Sequence, residues 1–137
     1  MDQKLLQEAA QLEQYTRELE EHDAYLQKQI AELEQFKAAM ETFVASGEKR
    51  LLAPLGKGVY CKADIAEQKL FVEVGSGILV RKTPDALLAV VDEQLQTLGS
   101  SQIQLSTQIT LCAEKLQGMM AVLEKQHQAE HESTNEE

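Results

Sequence analysis

The residue types that most often perform chemistry are sparse in this sequence and are not grouped. Cys61 and Cys112 stand alone, without a C-x-x-C pair or companion histidines, so neither indicates a metal or redox site, and both fit a reducing compartment. His22 has no second histidine or carboxylate placed to complete a metal site. No Ser, His and Asp set or Cys and His set has the support that nucleophilic catalysis needs. The sequence therefore predicts a protein that is not an enzyme and that uses no cofactor.

One glycine-rich segment resembles part of a phosphate-binding loop. Gly75-Ser76-Gly77 lacks the third glycine of a dinucleotide-binding loop, and it precedes a predicted strand rather than a helix. Two glycines around one small residue are instead typical of a tight hairpin turn. This segment is predicted to reverse the chain and not to bind phosphate.

The first element is a long amphipathic helix. Residues 1–46 contain neither glycine nor proline, and Gly47 supplies a helix-ending cap. Apolar residues recur here at intervals of seven: Leu5, Leu12, Leu19, Leu26, Leu33 and Met40. A sustained repeat of seven predicts a coiled coil. His22 and Gln29, three residues after a repeated leucine, are assigned to the alternate seam positions.

The second long helix begins at Pro84 and is predicted to end near Gln128. Thr83 is a natural N-cap, and Pro84 suits the first helical position. Apolar residues and Cys112 continue the seam: Leu88, Val91, Leu95, Leu98, Leu105, Ile109, Cys112, Leu116, Met119 and Leu123. Two arms of nearly equal length around a compact insert predict an antiparallel helical hairpin.

Between the arms, the period changes from that of a helix to that of a strand. Val59, Cys61 and Ala63 alternate with polar residues, as in a half-buried strand. Gly56-Lys57-Gly58 and Gly75-Ser76-Gly77 are predicted to close two β-hairpins. The predicted fold is mainly α with a small β insert, in which an antiparallel two-helix coiled coil carries two β-hairpins at its closed end.

These elements divide the 137 residues into four segments. Residues 1–47 form the first helix, 48–83 a β-hairpin hub, 84–128 the second helix, and 129–137 a disordered acidic tail. A few short strands with one apolar face need another layer to cover them. The hub is therefore predicted to be completed by other subunits.

Charge is divided unevenly along the chain, whose formal net charge is -10. Residues 1–46 contain ten acidic and four basic side chains, residues 85–137 nine and two, and the segment between them four and seven. Acidic arms repel a phosphate backbone, so nucleic acid is not an expected partner. Residues 1–4 lead into an amphipathic helix without a secretory signal, and the longest apolar run is too short for a membrane. A cytoplasmic protein is expected.

The order of motifs in the insert is similar to that of a known family. The segments that carry the resemblance are Leu51-Leu52-Ala53-Pro54-Leu55-Gly56, Gly58-Val59-Tyr60, Leu70-Phe71-Val72-Glu73-Val74-Gly75-Ser76-Gly77 and Lys82-Thr83-Pro84-Asp85-Ala86. With helices of matching length on both sides, the whole chain resembles the α-class subunit of prefoldin, also called the GimC chaperone. Two hairpins, rather than one, also resemble the α class. Ala53 stands where the family usually has a β-branched residue, and Leu79 where it often has an aromatic one. Both differences affect how the β-strands of the assembled subunits would pack.

The resemblance implies an assembly and a function. It implies a hexamer of two α-class and four β-class subunits, in which the hairpins form a double β-barrel and the coiled coils project from it. The ends of the coils would hold unfolded client proteins and transfer them to a group II chaperonin without using a nucleotide. A structural subunit of a prefoldin-like scaffold, which assembles another complex, is the alternative. An anchoring coiled-coil hairpin on a larger enzyme is a third and weaker hypothesis.

Two sets of residues are predicted to carry this function. An apolar surplus gathers at the open end of the hairpin, where flexible methionines suit varied partners. The client-binding set is Leu5, Leu6, Ala9, Ala10, Met119, Met120, Val122 and Leu123. Closure of the seam is the competing interpretation, favoured for Leu5, Met119 and Leu123, whereas client contact is favoured for Leu6, Met120 and Val122. The oligomerisation set is Leu52, Val59, Cys61, Leu70, Val72, Val74, Ile78 and Val80.

One polar pair bears on helix alignment. Gln29 and Gln102 fall at seam positions that an antiparallel register brings near one another. A facing amide pair would fix the register, as buried polar residues do in coiled coils. Two half-exposed glutamines in a loosely packed stretch are the equally acceptable alternative.

Overall fold

The computed structural model describes residues 3–47, 49–67 and 69–135, with side chains described up to residue 132. The order of elements is α1 (Gln3–Ser46), β1 (Arg50–Gly56), β2 (Val59–Asp64), β3 (Leu70–Gly75), β4 (Ile78–Lys82) and α2 (Pro84–Asn135). Residues 1, 2, 48, 136 and 137 of the predicted segments, and Gln68 of the predicted turn between hairpins, lie outside the described residues. Two long helices around two antiparallel hairpins confirm the predicted fold class.

The ends of the helices follow from local sequence. Gly47 has a positive φ of 61° and ends α1 at Ser46. At the start of α2, the backbone N–H of Ala86 donates to Thr83 Oγ1 at 3.2 Å, which is the N-cap bond predicted for this threonine. α2 continues to Asn135, beyond the predicted end near Gln128 and into the segment expected to be disordered. The segment after Gly118 contains no glycine or proline to stop the helix.

The chain divides into two compact units, and each helix contributes to both. One unit contains residues 1–29 and 98–137, and the other contains residues 30–97. In the first unit, Leu19, Leu26 and Leu105 form a buried cluster. Leu98, Ile109 and Cys112 pack against it. The early part of α1 therefore packs against the later part of α2, as expected for antiparallel helices.

The seam of α1 differs in phase from the predicted one. The repeated leucines alternate with residues four positions later, so that Ala9 and Thr16 are buried and Asp23 is half-buried. His22 is exposed, and its assignment to the seam is wrong. Gln29 and Gln102 are both half-buried, and within the described residues no hydrogen bond joins them.

A carboxylate in this seam provides a direct test of the phase. Asp23 Oδ2 accepts a hydrogen bond from Gln27 Nε2 at 2.9 Å, whereas Asp23 Oδ1 is buried and has no partner among the described residues. Asp23→Leu is expected to raise the free energy of unfolding by about 1–3 kcal/mol, because it removes an unsatisfied buried group and favours the helix. Gln27→Leu, which removes only the donor, is the control and should not stabilise. Equal unfolding midpoints in urea for Asp23→Leu and the parent protein would contradict the phase.

The second unit has its own link between the helices. Lys37 Nζ lies 2.6 Å from Asp92 Oδ1. The hydrogen bond and the charge of Asp92 raise the pKa of Lys37 above its ordinary value. Lys37 occupies a seam position of the corrected phase, so its ion pair connects α1 with α2 at a position where an apolar residue is usual.

Each hairpin is a separate two-stranded sheet. β1 pairs with β2, and β3 pairs with β4, both antiparallel, with a register irregularity just before each turn. Lys57 and Ser76 both have φ of 51°, and the glycine after each also has a positive φ. Positive φ at both central residues is the requirement of a type I′ turn, which matches the twist of the strands. Both predicted glycine-rich turns are therefore confirmed.

Candidate functional site

The predicted client-binding residues, near the start of α1 and at positions 119–123 of α2, lie in the first unit. Leu6, Ala10, Met120 and Val122 are exposed. Met120 and Val122 are two residues apart and therefore lie on different sides of α2. Leu5, Met119 and Leu123 are half-buried, which agrees with the seam interpretation favoured for these three residues. Ala9 is only 5% exposed. Its place in the client-binding set is therefore corrected, since a side chain packed in the seam offers no surface to a partner. We call the exposed residues Leu6, Ala10, Met120 and Val122 the tip surface.

An open groove borders the tip surface. Its lining combines apolar residues with an acidic and amide rim: Leu6, Met120, Leu123, Glu124, Gln126, His127 and Glu130. Leu6 comes from α1 and the others from α2, so the groove exists only where the helices are paired. The unbranched side chain of Met120 can adopt several shapes against a ligand. This arrangement can hold an apolar segment weakly and has no group placed for covalent chemistry.

The first hairpin has an apolar face that is exposed at several of its residues. Residues directly opposite in an antiparallel pair share a face, and Ala53 pairs with Cys61 while Leu51 pairs with Ala63. Val59 lies two residues before Cys61 on the same strand, and therefore on the same face. Val59 is 55% exposed and Cys61 is also exposed.

Leu52 belongs to the other face of this hairpin, because it pairs with Lys62. The prediction placed it in one set with Val59 and Cys61, and the register separates it from them. Leu52 and Tyr60 are nevertheless both exposed on that second face. Strands that are apolar on both faces are typical of sheets covered on both sides.

One face of the second hairpin is partly covered, and Val72 and Val80 pair on that face. Leu70 and Val72 are half-buried, whereas Val74, Ile78 and Val80 of the predicted set are exposed. An open groove within the second unit runs between this hairpin and the helices, lined by Leu33, Phe36, Met40, Leu70, Phe71, Val72, Glu73, Leu87, Val90, Val91 and Gln94. The Arg81 guanidinium lies 5.6 Å from the centre of the ring of Phe71, with which Arg81 is paired across the strands.

Several exposed apolar residues of the hairpins were missed by the sequence reasoning. They are Leu51, Leu55, Tyr60, Phe71 and Leu79. Apolar residues at consecutive strand positions, such as Leu51 and Leu52, could have indicated these exposed residues. In a strand with one buried face, only every second residue needs to be apolar. Within the described residues, no group of three or more His, Cys, Asp or Glu side chains could hold a metal ion. No helix in the described ranges is long and apolar enough to cross a membrane.

Long paired helices, coiled-coil packing and two β-hairpins with exposed apolar residues define a class of helical-hairpin proteins with a β insert. The chain belongs to the prefoldin family, whose model, described as "Prefoldin subunit", matches residues 3–129. This confirms the resemblance seen in the sequence.

Two relatives illustrate the similarity. The chain is 34% identical over 73 residues to prefoldin subunit alpha of Methanococcoides burtonii, a match that covers 53% of each protein. It therefore spans about half the length of the curated relative that it matches. It also resembles a chain of the filamentous PFD from Methanocaldococcus jannaschii, solved by cryo-electron microscopy. The TM-score is 0.68 at 20% identity, over 82% of this chain and 95% of the other. The structural likeness shows a shared fold.

Proposed function

We propose that this protein is a subunit of an ATP-independent chaperone that holds unfolded proteins. The observation that carries the proposal is the tip surface, in which Leu6, Met120 and Val122 stay exposed although the helices around them are paired. Membership of the prefoldin family and the similarity to a prefoldin subunit alpha support it. Client chains bind this surface through their apolar segments, and the client then passes to a group II chaperonin.

The hairpins join the subunit to its partners. Both hairpins expose apolar residues, among them Val59 and Cys61 on one hairpin and Val74 and Ile78 on the other. Four short strands with so much exposed apolar surface need a further layer to cover them. The partners that fit are prefoldin β-class subunits, in an assembly of two α-class and four β-class chains. Several tips in one assembly bind one client, so that weak contacts add to a useful affinity while each contact can still release.

The charge of the arms supports weak binding. Glu124 and Glu130 border the groove beside Leu6 and Met120. Carboxylates at the rim keep the apolar surface small and favour basic or neutral client segments over acidic ones. They also oppose association of tips with one another, which leaves the tips free for clients.

A triple substitution tests the tip surface. Leu6→Ser, Met120→Ser and Val122→Ser together remove its large apolar groups, and the fold should persist because all three side chains are exposed. The assembled variant is expected to suppress aggregation of an unfolded client several-fold less well, as measured by light scattering. The matched control is Tyr15→Ser with Tyr25→Ser, which removes exposed apolar surface elsewhere on α1.

Full suppression by an assembly whose subunits of this class all carry the triple substitution would overturn this site. A parent assembly that does not suppress aggregation at all would instead favour the scaffold function. Mass measurement of the intact complex is needed in both cases, because loss of assembly would remove activity for a different reason.

A further inference from the structure

A stretch of α2 between Glu93 and Glu114 contains no charged residue, in a chain whose charged fraction is 26%. In α1 a charged side chain occurs at least once in every five residues from Lys4 to Glu41. The uncharged stretch includes Leu105 and Ile109, which pack in the seam, but also Ile103 and Leu111, which do not. Seam packing therefore does not explain the absence of charge on the outer side of this helix.

The outer side of this stretch is apolar. Ile103 is 70% exposed and Leu111 is 59% exposed. They are eight residues apart, with Thr107 midway between them, so all three lie along one face of the helix. The hydroxyls of Thr107 and Thr110 donate to the backbone carbonyls of Ile103 and Ser106, each at 3.0 Å. With these hydroxyls turned back onto the helix, the threonines also present their methyl groups.

This surface is shaped as two projections around a shallow groove. Ile103 and Leu111 project, and the smaller Ser106, Thr107 and Thr110 lie between them. An antiparallel helix of the same sequence, related by a twofold axis at Thr107, would place its Ile103 opposite Leu111 and its Leu111 opposite Ile103. Such a contact is self-complementary, as a twofold interface must be.

Charge determines which partner fits. Both helices of this chain are acidic, so two copies repel each other along most of their length. In the antiparallel register centred on Thr107, Glu114 opposes Ser100 and Glu93 opposes Ala121, and no two charges face each other. An unfolded client of arbitrary charge has no such requirement for an uncharged surface. We propose that the face formed by Ile103, Ser106, Thr107, Thr110 and Leu111, here called the neutral face, binds the neutral face of a second copy of this chain.

The contact is small, since one helical face of this length lies well below a standard protein interface. It is expected to be weak and to form between copies held at high local concentration, within an assembly or between neighbouring assemblies. Added salt should strengthen it, because screening weakens the repulsion between acidic arms.

Disulfide trapping in the full-length assembled protein tests the contact. Cys61→Ala and Cys112→Ala remove the native thiols without adding a polar group, and Thr107→Cys then places a thiol on the twofold axis, where the pair of Cβ atoms can approach disulfide distance. The matched control is Gln108→Cys, exposed on the adjacent residue but pointing about 100° away around the helix. Oxidation is expected to give at least about tenfold more covalent dimer for Thr107→Cys.

A second comparison uses charge. Ile103→Glu in the Thr107→Cys protein puts an uncompensated carboxylate in the contact and should abolish the dimer, whereas Ser101→Glu, an exposed position away from the neutral face, should leave it. Equal dimer yields for Thr107→Cys and Gln108→Cys would overturn the proposal, as would a yield unaffected by Ile103→Glu. The remaining outcome is that Thr107→Cys forms a disulfide only with a cysteine of a different subunit or of a client protein. That result would assign the neutral face to that partner and would also overturn the proposal.

Discussion

Val59→Asp is expected to leave the helices folded and to prevent the subunit from joining its assembly. Val59 is exposed in the chain itself, so aspartate costs the isolated fold little. In the proposed assembly the same face is covered by a partner strand or sheet, where an unpaired carboxylate costs several kcal/mol. Each 1.4 kcal/mol is a factor of ten in affinity, so association should weaken by about two orders of magnitude or more.

Native mass measurement and circular dichroism separate the two parts of this prediction. The matched control is Ala66→Asp, which places the same carboxylate in the exposed loop between the hairpins. That variant should assemble normally. If Val59→Asp also gives an intact complex with an unchanged dissociation profile, the apolar face of the first hairpin is not an interface.

Leu105→Ala is expected to destabilise the helix pair of the first unit more than any single change on its surface. Leu105 is 6% exposed and lies in the buried cluster with Leu19 and Leu26. Truncating a buried leucine costs about 2–5 kcal/mol, from lost transfer free energy and the cavity left behind. That loss is a large part of the stability of a small domain.

Leu6→Ala is the chemically matched control, because Leu6 is exposed. Its unfolding free energy should stay within about 0.5 kcal/mol of the parent. Urea unfolding followed by circular dichroism measures both variants. A Leu105→Ala midpoint indistinguishable from that of Leu6→Ala would mean that the cluster does not hold the helices together.

The sequence predicted the elements of this fold well and one detail of the packing badly. Gly47, Thr83 and the two glycine-flanked turns act locally, so their consequences are readable from neighbouring residues. The phase of the α1 seam could not be read in this way. A repeat of seven fixes one of the two seam positions, and the second can lie either three or four residues after it. His22 and Asp23 are both polar candidates for it, and only contact with α2 selects Asp23.

The candidate site shows the same division. Exposure of Leu6, Met120 and Val122 could be predicted from their positions off the seam, whereas burial of Ala9 depended on the phase. On the first hairpin, the register pairs Leu52 with Lys62 and Ala53 with Cys61, and this pairing decides which residues share a face. Strand alternation gives the two faces but not which of them a partner covers.

Among the described residues, no side chain is less than 2% exposed. The heat-capacity change of unfolding comes mainly from apolar surface that becomes hydrated. A helix pair that buries so little apolar surface should therefore have a small heat-capacity change per residue. Its stability should then vary weakly with temperature, with no sharp maximum and little tendency to unfold in the cold. Apolar area that becomes covered at the hairpins on assembly would increase this heat-capacity change. Calorimetry of separate and assembled subunits would therefore report how much apolar surface the hub encloses.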